Sequence, residues 1–104
     1  MLESKRKRLE KKGWRVASAE EFLKLTEEES EYIELKLRLS QAFKDKRQEK
    51  GLSQGETARV LRSSQSRIAK MEAGDPSVSL DLLVRALFTM GTTPKELSRL
   101  VGSR

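Results

Sequence analysis

Residues 51–74 read GLSQGETARVLRSSQSRIAKMEAG, and this stretch decides the fold. Ser53 followed by Glu56 has the spacing of a capping box, in which the cap hydroxyl takes one orphan backbone N–H and the carboxylate returns to the cap's own N–H. A helix of about nine residues opens there, with Ala58 and Leu61 facing inward. Polar residues 62–64 separate it from a second helix carrying Ile68 and Met71. So short a connection does not let two helices lie side by side, so they cross steeply and one side of the second stays exposed. At about 100° per residue, Ile68 and Met71 share the inward face, while Ser66, Ala69 and Lys70 point away. Gln65 lies at one flank of that outward face and Arg67 at the other.

Beyond Gly74, residues 79–90 and 93–101 read as two further helices. The first is almost wholly apolar, with Leu80, Leu83, Val84 and Leu87 on one stripe and Leu82, Ala86 and Met90 on another, so it is expected at the centre of the core. Thr93 and Glu96 form another capping box, with Pro94 at the first helical position. Before Gly51, which supplies a C-terminal stop, lies a long segment containing one ambiguity. Ile33, Leu35, Leu37 and Leu39 alternate with polar residues as a half-buried strand would. Helix is the better reading, because the acidic turn after Thr26 suits a helix start, and neither Gly nor Pro intervenes before Gly51. Tyr32, Leu35, Leu39, Ala42 and Phe43 then form an i, i+3, i+4 stripe. Thr26 with Glu29 is the capping box of this helix. Ser18 with Glu21 is that of a short preceding one carrying Phe22, Leu23 and Leu25, with Trp14 and Val16 as packing partners. Residues 1–12 (MLESKRKRLEKK) lack an apolar stripe and read as a mobile basic arm closed by Gly13.

Composition bounds what such a chain can do. Its 104 residues suit one ordinary domain, and 36% apolar with 37% charged residues describes a soluble helical protein. Cys and His are both absent, which excludes disulfides, zinc fingers, thiol chemistry and imidazole catalysis. Without a phosphate loop, a nucleophile paired with a base or a metal-ligand cluster, an enzyme is not expected, and neither a cofactor nor a metal is called for. No apolar run reaches membrane-spanning length and no secretory signal opens the chain, so a cytoplasmic location is expected. The net charge of +6 is unevenly placed, being positive in residues 1–12, negative in 13–31 and positive again thereafter. A basic body suits phosphate backbones, although charge alone has other common explanations.

The run Leu52, Ser53, Gln54, Glu56, Ala58, Gln65, Ile68, Glu72 and Gly74 resembles the XRE family of lambda-repressor-like and Cro-like helix-turn-helix domains. The resemblance covers about residues 32–101 and implies an all-α, five-helix domain at residues 32–104. Residues 1–31 then form a separate part, made of the basic arm and the extra short helix. It also implies roles. The family's phosphate-contacting Gln at the start of helix two falls on Gln54, where the amide and the helix N-terminus both meet a phosphate. Base edges fall to Gln65, Ser66 and Lys70, since Gln pairs with adenine and Lys donates to guanine, and Arg67 reaches base or backbone. Arg47 and Glu72 match a structural ion pair between the first helix and the recognition helix. Arg62 stands where the turn usually has Gly; it accepts a left-handed conformation at modest cost and gains a phosphate contact in return. Ser64, capping the recognition helix, joins the phosphate-contacting set. Thr57 replaces an apolar residue, Gly55 loosens helix two, and Asp75 with Pro76 stand where relatives often carry Lys or Arg, which weakens backbone affinity.

Residues 13–40 followed by such a domain also resemble small HigA-type antitoxins. That likeness implies an autorepressor that neutralises a toxin protein, with Trp14, Phe22 and Leu23 as partner-binding anchors beside an acidic patch. A stand-alone phage-type repressor and an XRE-type transcriptional bridging factor share the same fold. The bridging factor acts through protein contacts, as a monomer without operator preference. Recognition of double-stranded DNA by so small a module normally takes two copies on a palindromic operator, so a homodimer is expected.

Overall fold

The computed structural model describes residues 27–102, and among them the chain forms five helices and no strand. These are α1 (Glu27–Glu49), α2 (Gln54–Leu61), α3 (Gln65–Ala73), α4 (Leu80–Thr89) and α5 (Pro94–Gly102). The basic arm, the capping boxes opened by Ser18 and Thr26, and the anchors Trp14, Phe22 and Leu23 lie outside the described residues.

The ambiguous segment is helical throughout its 23 residues, and α1 passes without interruption through the boundary expected after residue 31. Glu27, Glu28 and Glu29 occupy its first turn and Lys46 and Arg47 its last, which complements the helix dipole at both ends. The strand-like alternation resolves into two i, i+4 rows: Ile33 and Leu37 on one side, Leu35 and Leu39 on the other. Ile33, Leu37 and Leu39 are buried, and Leu35 is partly so. Tyr32 departs from the expected stripe, being 46% exposed. The core covers the row at Leu39 and Phe43, whereas Tyr32 lines an open groove with Val101 in the last turn of α5.

One cluster forms the core: Leu39 and Phe43 of α1, Ala58 of α2, Ile68 and Met71 of α3, Val78 of the following loop, Leu83, Ala86 and Leu87 of α4, and Met90 at the C-terminal cap of α4. Each large side chain removed from water in this way contributes about 1.5–3 kcal/mol. As expected, α4 supplies more of the cluster than any other helix. α5 contributes no fully buried residue and attaches through Leu97 and Leu100.

Four helices end in the same double hydrogen bond, in which two successive N–H groups fold back over the last turn. Leu52 and Gly51 donate to Arg47 and Gln48 at 3.1 and 3.0 Å, and Asp75 and Gly74 to Lys70 and Met71 at 3.1 and 3.4 Å. Thr92 and Gly91 close α4 on Leu87 and Phe88 at 2.9 and 3.0 Å, and Ser63 and Arg62 close α2 on Ala58 and Arg59 at 2.8 and 3.2 Å. The pivot of each needs a positive φ. Three pivots are glycine, and the fourth is Arg62 at 54°, the one non-glycine residue with positive φ among the described residues. A side chain in that conformation costs roughly 1–2 kcal/mol, so the α2–α3 turn holds strain that the other three ends avoid.

Candidate nucleic-acid interface

The geometry of α3 begins at its caps. Ser53 and Glu56 form the expected box, with the Glu56 N–H donating to Ser53 Oγ at 3.0 Å and the Ser53 N–H donating to Glu56 Oε1 at 2.9 Å. The Ser53 N–H, and next its hydroxyl, hold the Glu56 carboxyl below its ordinary range. Thr57 is fully buried, and its hydroxyl donates back to the Ser53 carbonyl at 2.9 Å, so the departure from an apolar residue leaves no orphaned polar group. After the Arg62 pivot, Ser64 caps α3 by accepting the Arg67 N–H at 3.1 Å. Such caps are worth about 1 kcal/mol each.

Ile68 and Met71, at 0% and 1% exposure, pin α3 to the core. The opposite side carries Gln65, Ser66, Arg67, Ala69 and Lys70, all exposed, flanked by exposed Ser64 and Arg62. This is the division that the 100° rotation of a helix imposes. Ser64, Ser66, Arg67 and Lys70 line one polar cleft, whose far wall is Ser77 and Val78 of the α3–α4 loop. Gln65 falls outside it, toward α2, where a Cβ on Gly55 would lie 3.9 Å from Gln65 Oε1. The surface is therefore two-sided: Gln65 beside the start of α2, and the cations beside the loop.

A buried network fixes the pose of α3. Arg47 donates through Nε to Glu72 Oε2, through Nη2 to Glu72 Oε1 at 3.0 Å, and through Nη1 to the Leu52 carbonyl at 2.8 Å. Gln54 Nε2 donates to Glu72 Oε1 at 3.3 Å. The expected ion pair is present, and it joins the end of α1, the start of α2 and the end of α3. The hydrogen bond that Arg47 donates to Glu72 holds its guanidinium above its ordinary pKa. The amide of Gln54 has two hydrogens, and Glu72 engages one of them.

Two contacts were not among the expectations from the sequence. Ser77 donates its N–H and its hydroxyl to Asp75 Oδ1 at 2.9 and 2.6 Å. The hydroxyl, then the N–H, with help from Lys70 and Lys36, hold the Asp75 carboxyl below its usual range. An ionised carboxylate thus lies beside the cationic cleft. Lys36, 5% exposed, reaches from α1 to donate to the Pro76 carbonyl at 3.4 Å and tethers the same loop. Burial lowers its pKa, and Asp75 opposes that. A Ser two residues after an Asp hinted at the first contact. The second spans 40 residues and involves a residue type that normally stays exposed.

Among the described residues, no group of three or more Asp or Glu side chains is placed to hold a metal ion, and no helix is long and apolar enough to cross a membrane. A family model described as helix-turn-helix matches residues 43–97, more than half of the chain. No curated protein and no solved structure matches.

Proposed function

This chain belongs to the XRE-type helix-turn-helix family and is a DNA-binding transcriptional regulator, and from that premise we propose that it reads a palindromic operator as a homodimer through the exposed side of α3. The observation that carries the reading is the division of α3: Ile68 and Met71 lock it from behind, while Gln65, Ser66, Arg67 and Lys70 stand clear in front. Gln65 suits adenine, whose N6 donates and N7 accepts, and Lys70 suits guanine O6 or N7; Ser66 accepts or donates to either base edge. Arg67, on the flank facing the loop, reaches base or backbone.

Phosphates fall to the surrounding groups. Gln54 has a second amide hydrogen to offer, and the N–H groups of Gln54 and Gly55 are among the orphan donors of any helix start. The Ser64 hydroxyl accepts from Arg67 and still has its own hydrogen to donate. Arg62 projects from the turn between the two helices. These contacts set register, and the base contacts set sequence.

The finer reading is a cytoplasmic autorepressor that serves as the antitoxin of a toxin–antitoxin pair, with Trp14, Phe22 and Leu23 of residues 1–31 holding the toxin. It is supported by the acidic balance and the aromatic and apolar content of residues 13–31. Co-expression with the neighbouring open reading frame tests it: a stable complex and relieved toxicity are expected, and unrelieved toxicity contradicts it. For DNA reading, titration of the chain against operator and random duplex at several salt concentrations is the test. Preference for operator is expected to persist as total affinity falls with salt. Equal affinity for both duplexes favours the bridging-factor reading instead.

A further inference from the structure

Lysine is among the side chains least often buried, yet Lys36 lies on the inner side of α1, three residues after Ile33 and four before Ser40. Its ammonium is 5.8 Å from the centroid of the Tyr32 ring, a distance at which a cation is attracted to the ring face. It donates to the Pro76 carbonyl at 3.4 Å. The next two residues of that loop, Ser77 and Val78, wall the cleft that Ser66, Arg67 and Lys70 line on the side of α3. Lys36 itself does not line the cleft, so the tether reaches the wall from outside it.

Asp75 connects the tether to DNA reading. Its N–H donates to the Lys70 carbonyl at 3.1 Å, which anchors its carboxylate at the end of α3 beside a cation of the reading side. Lys70 and, more weakly, Lys36 both act on that carboxylate. With Lys36 alongside, the positive and negative charges of Lys36 and Asp75 offset one another as Lys70 meets them. Without Lys36, an unopposed carboxylate competes with DNA for the Lys70 ammonium. We propose that Lys36 is a positioning residue for sequence reading: it fixes the loop that walls the cleft and offsets Asp75, which leaves Lys70 to the base edge. The inference rests on the DNA-reading proposal and adds to it a residue that touches no DNA. Gln65 stands outside the cleft, on the flank toward α2. Loss of Lys36 is therefore felt at the base pair read by Lys70 and not at the one read by Gln65. A tether that served stability alone would cost both positions alike.

Binding isotherms of the full chain test it, on the duplex that the unaltered chain enriches from a random pool and on that duplex with single base-pair changes. Lys36→Met is expected to bind about tenfold more weakly, the loss of one base contact. Its discrimination is expected to fall at the position that Lys70→Ala blurs and to persist at the position that Gln65→Ala blurs. Lys36→Arg, which keeps the charge and a donor, is expected to retain both. Asp75→Asn added to Lys36→Met removes the unopposed carboxylate and is expected to recover most of the lost affinity, a larger gain than the same change brings to the unaltered chain. Amide exchange without DNA follows the loop itself: the Ser77 N–H, which donates to Asp75, is expected to exchange faster in Lys36→Met. Lys36→Gln, which stays polar, carries the same expectations if methionine disturbs the packing. Unchanged affinity in the neutral variants overturns the proposal, as does a loss that falls evenly on both positions or that Asp75→Asn does not reduce. If the unaltered chain enriches no duplex, the DNA reading fails and the positioning role with it. If it enriches one that Lys36→Met and Lys36→Gln bind equally well, the positioning role alone fails.

Discussion

The cleft beside α3 carries three hydroxyls, two cations and one apolar side chain, whereas the groove on α1 carries three carboxylates, one guanidinium and three apolar or aromatic side chains. The same small core builds both. In the cleft, apolar residues are turned inward and the polar ones left in water, the arrangement that suits a hydrated, charged backbone. In the groove, Tyr32 and Val101 remain outside, which suits a dry contact with protein. One surface is organised by what α3 must hide; the other by what α1 has not yet hidden.

Breaking the support of the cleft is expected to have the largest effect. Glu72→Ala leaves the Arg47 guanidinium and the Gln54 amide without their carboxylate in a site where the two ionic side chains are 14% and 5% exposed. A loss of about 3 kcal/mol in urea unfolding is expected, at the low end for orphaning a buried partner because Arg47 keeps its bond to the Leu52 carbonyl. A change under 1 kcal/mol would mean that the network is not what poses α3. Next comes the reading surface. Gln65→Ala is expected to lose about 1–3 kcal/mol of discrimination between operator and mismatched duplex, with thermal stability unchanged. Val101→Asp, at the other surface, leaves discrimination by a single half-site intact.

Arg62→Gly sharpens the comparison because its two effects have opposite signs. Removing the strained side chain stabilises the fold by about 1 kcal/mol. Losing one phosphate contact lowers the slope of log affinity against log salt by about 1. Equal salt slopes for the two proteins would take Arg62 out of the interface. A smaller effect, about three- to fivefold tighter DNA binding, is expected for Asp75→Asn, which removes the carboxylate beside the cleft. Binding isotherms at low salt measure it.

Acid gives the mildest and most diffuse response. Glu56, Asp75 and Glu96 are held below their ordinary values of 4.5, 3.8 and 4.5 by donors that exist only in the fold: Ser53 for Glu56, Ser77 for Asp75, and the Thr93 N–H and hydroxyl for Glu96. The unfolded chain therefore binds more protons, so stability rises with pH across this range. Their contribution is complete above the unfolded values and is lost as pH falls through the lower folded ones. Thermal midpoints flat above pH 5 and declining below about pH 4.5 are expected. A midpoint that rises on acidification would contradict the assignment of those caps.

Local signals carried the fold. The boxes at Ser53 and Thr93 were legible because each needs only four consecutive residues, and both form in the structure. The centrality of α4 was legible because few of its residues are polar. The Arg47–Glu72 pair spans 25 residues, and only resemblance to a family pointed to it. The Lys36 tether and the openness of Tyr32 were not legible, because both depend on which elements come alongside α1, and periodicity reports a face without reporting its cover. Of the candidate interface, the side of α3 that stands in water was readable from helical rotation. Its partition between a Gln65 flank and a loop-walled cleft was not, because the wall comes from Ser77 and Val78 in the next connection.

Selection of bound duplexes from a random pool, using the full chain at near-physiological salt, tests most directly the claim that α3 reads DNA sequence. An enriched palindrome with half-sites about one helical turn apart, roughly 34–36 Å, is the expected result, and Gln65→Ala should blur one position in each half. A pool that retains chain on DNA but converges on no sequence would contradict the account.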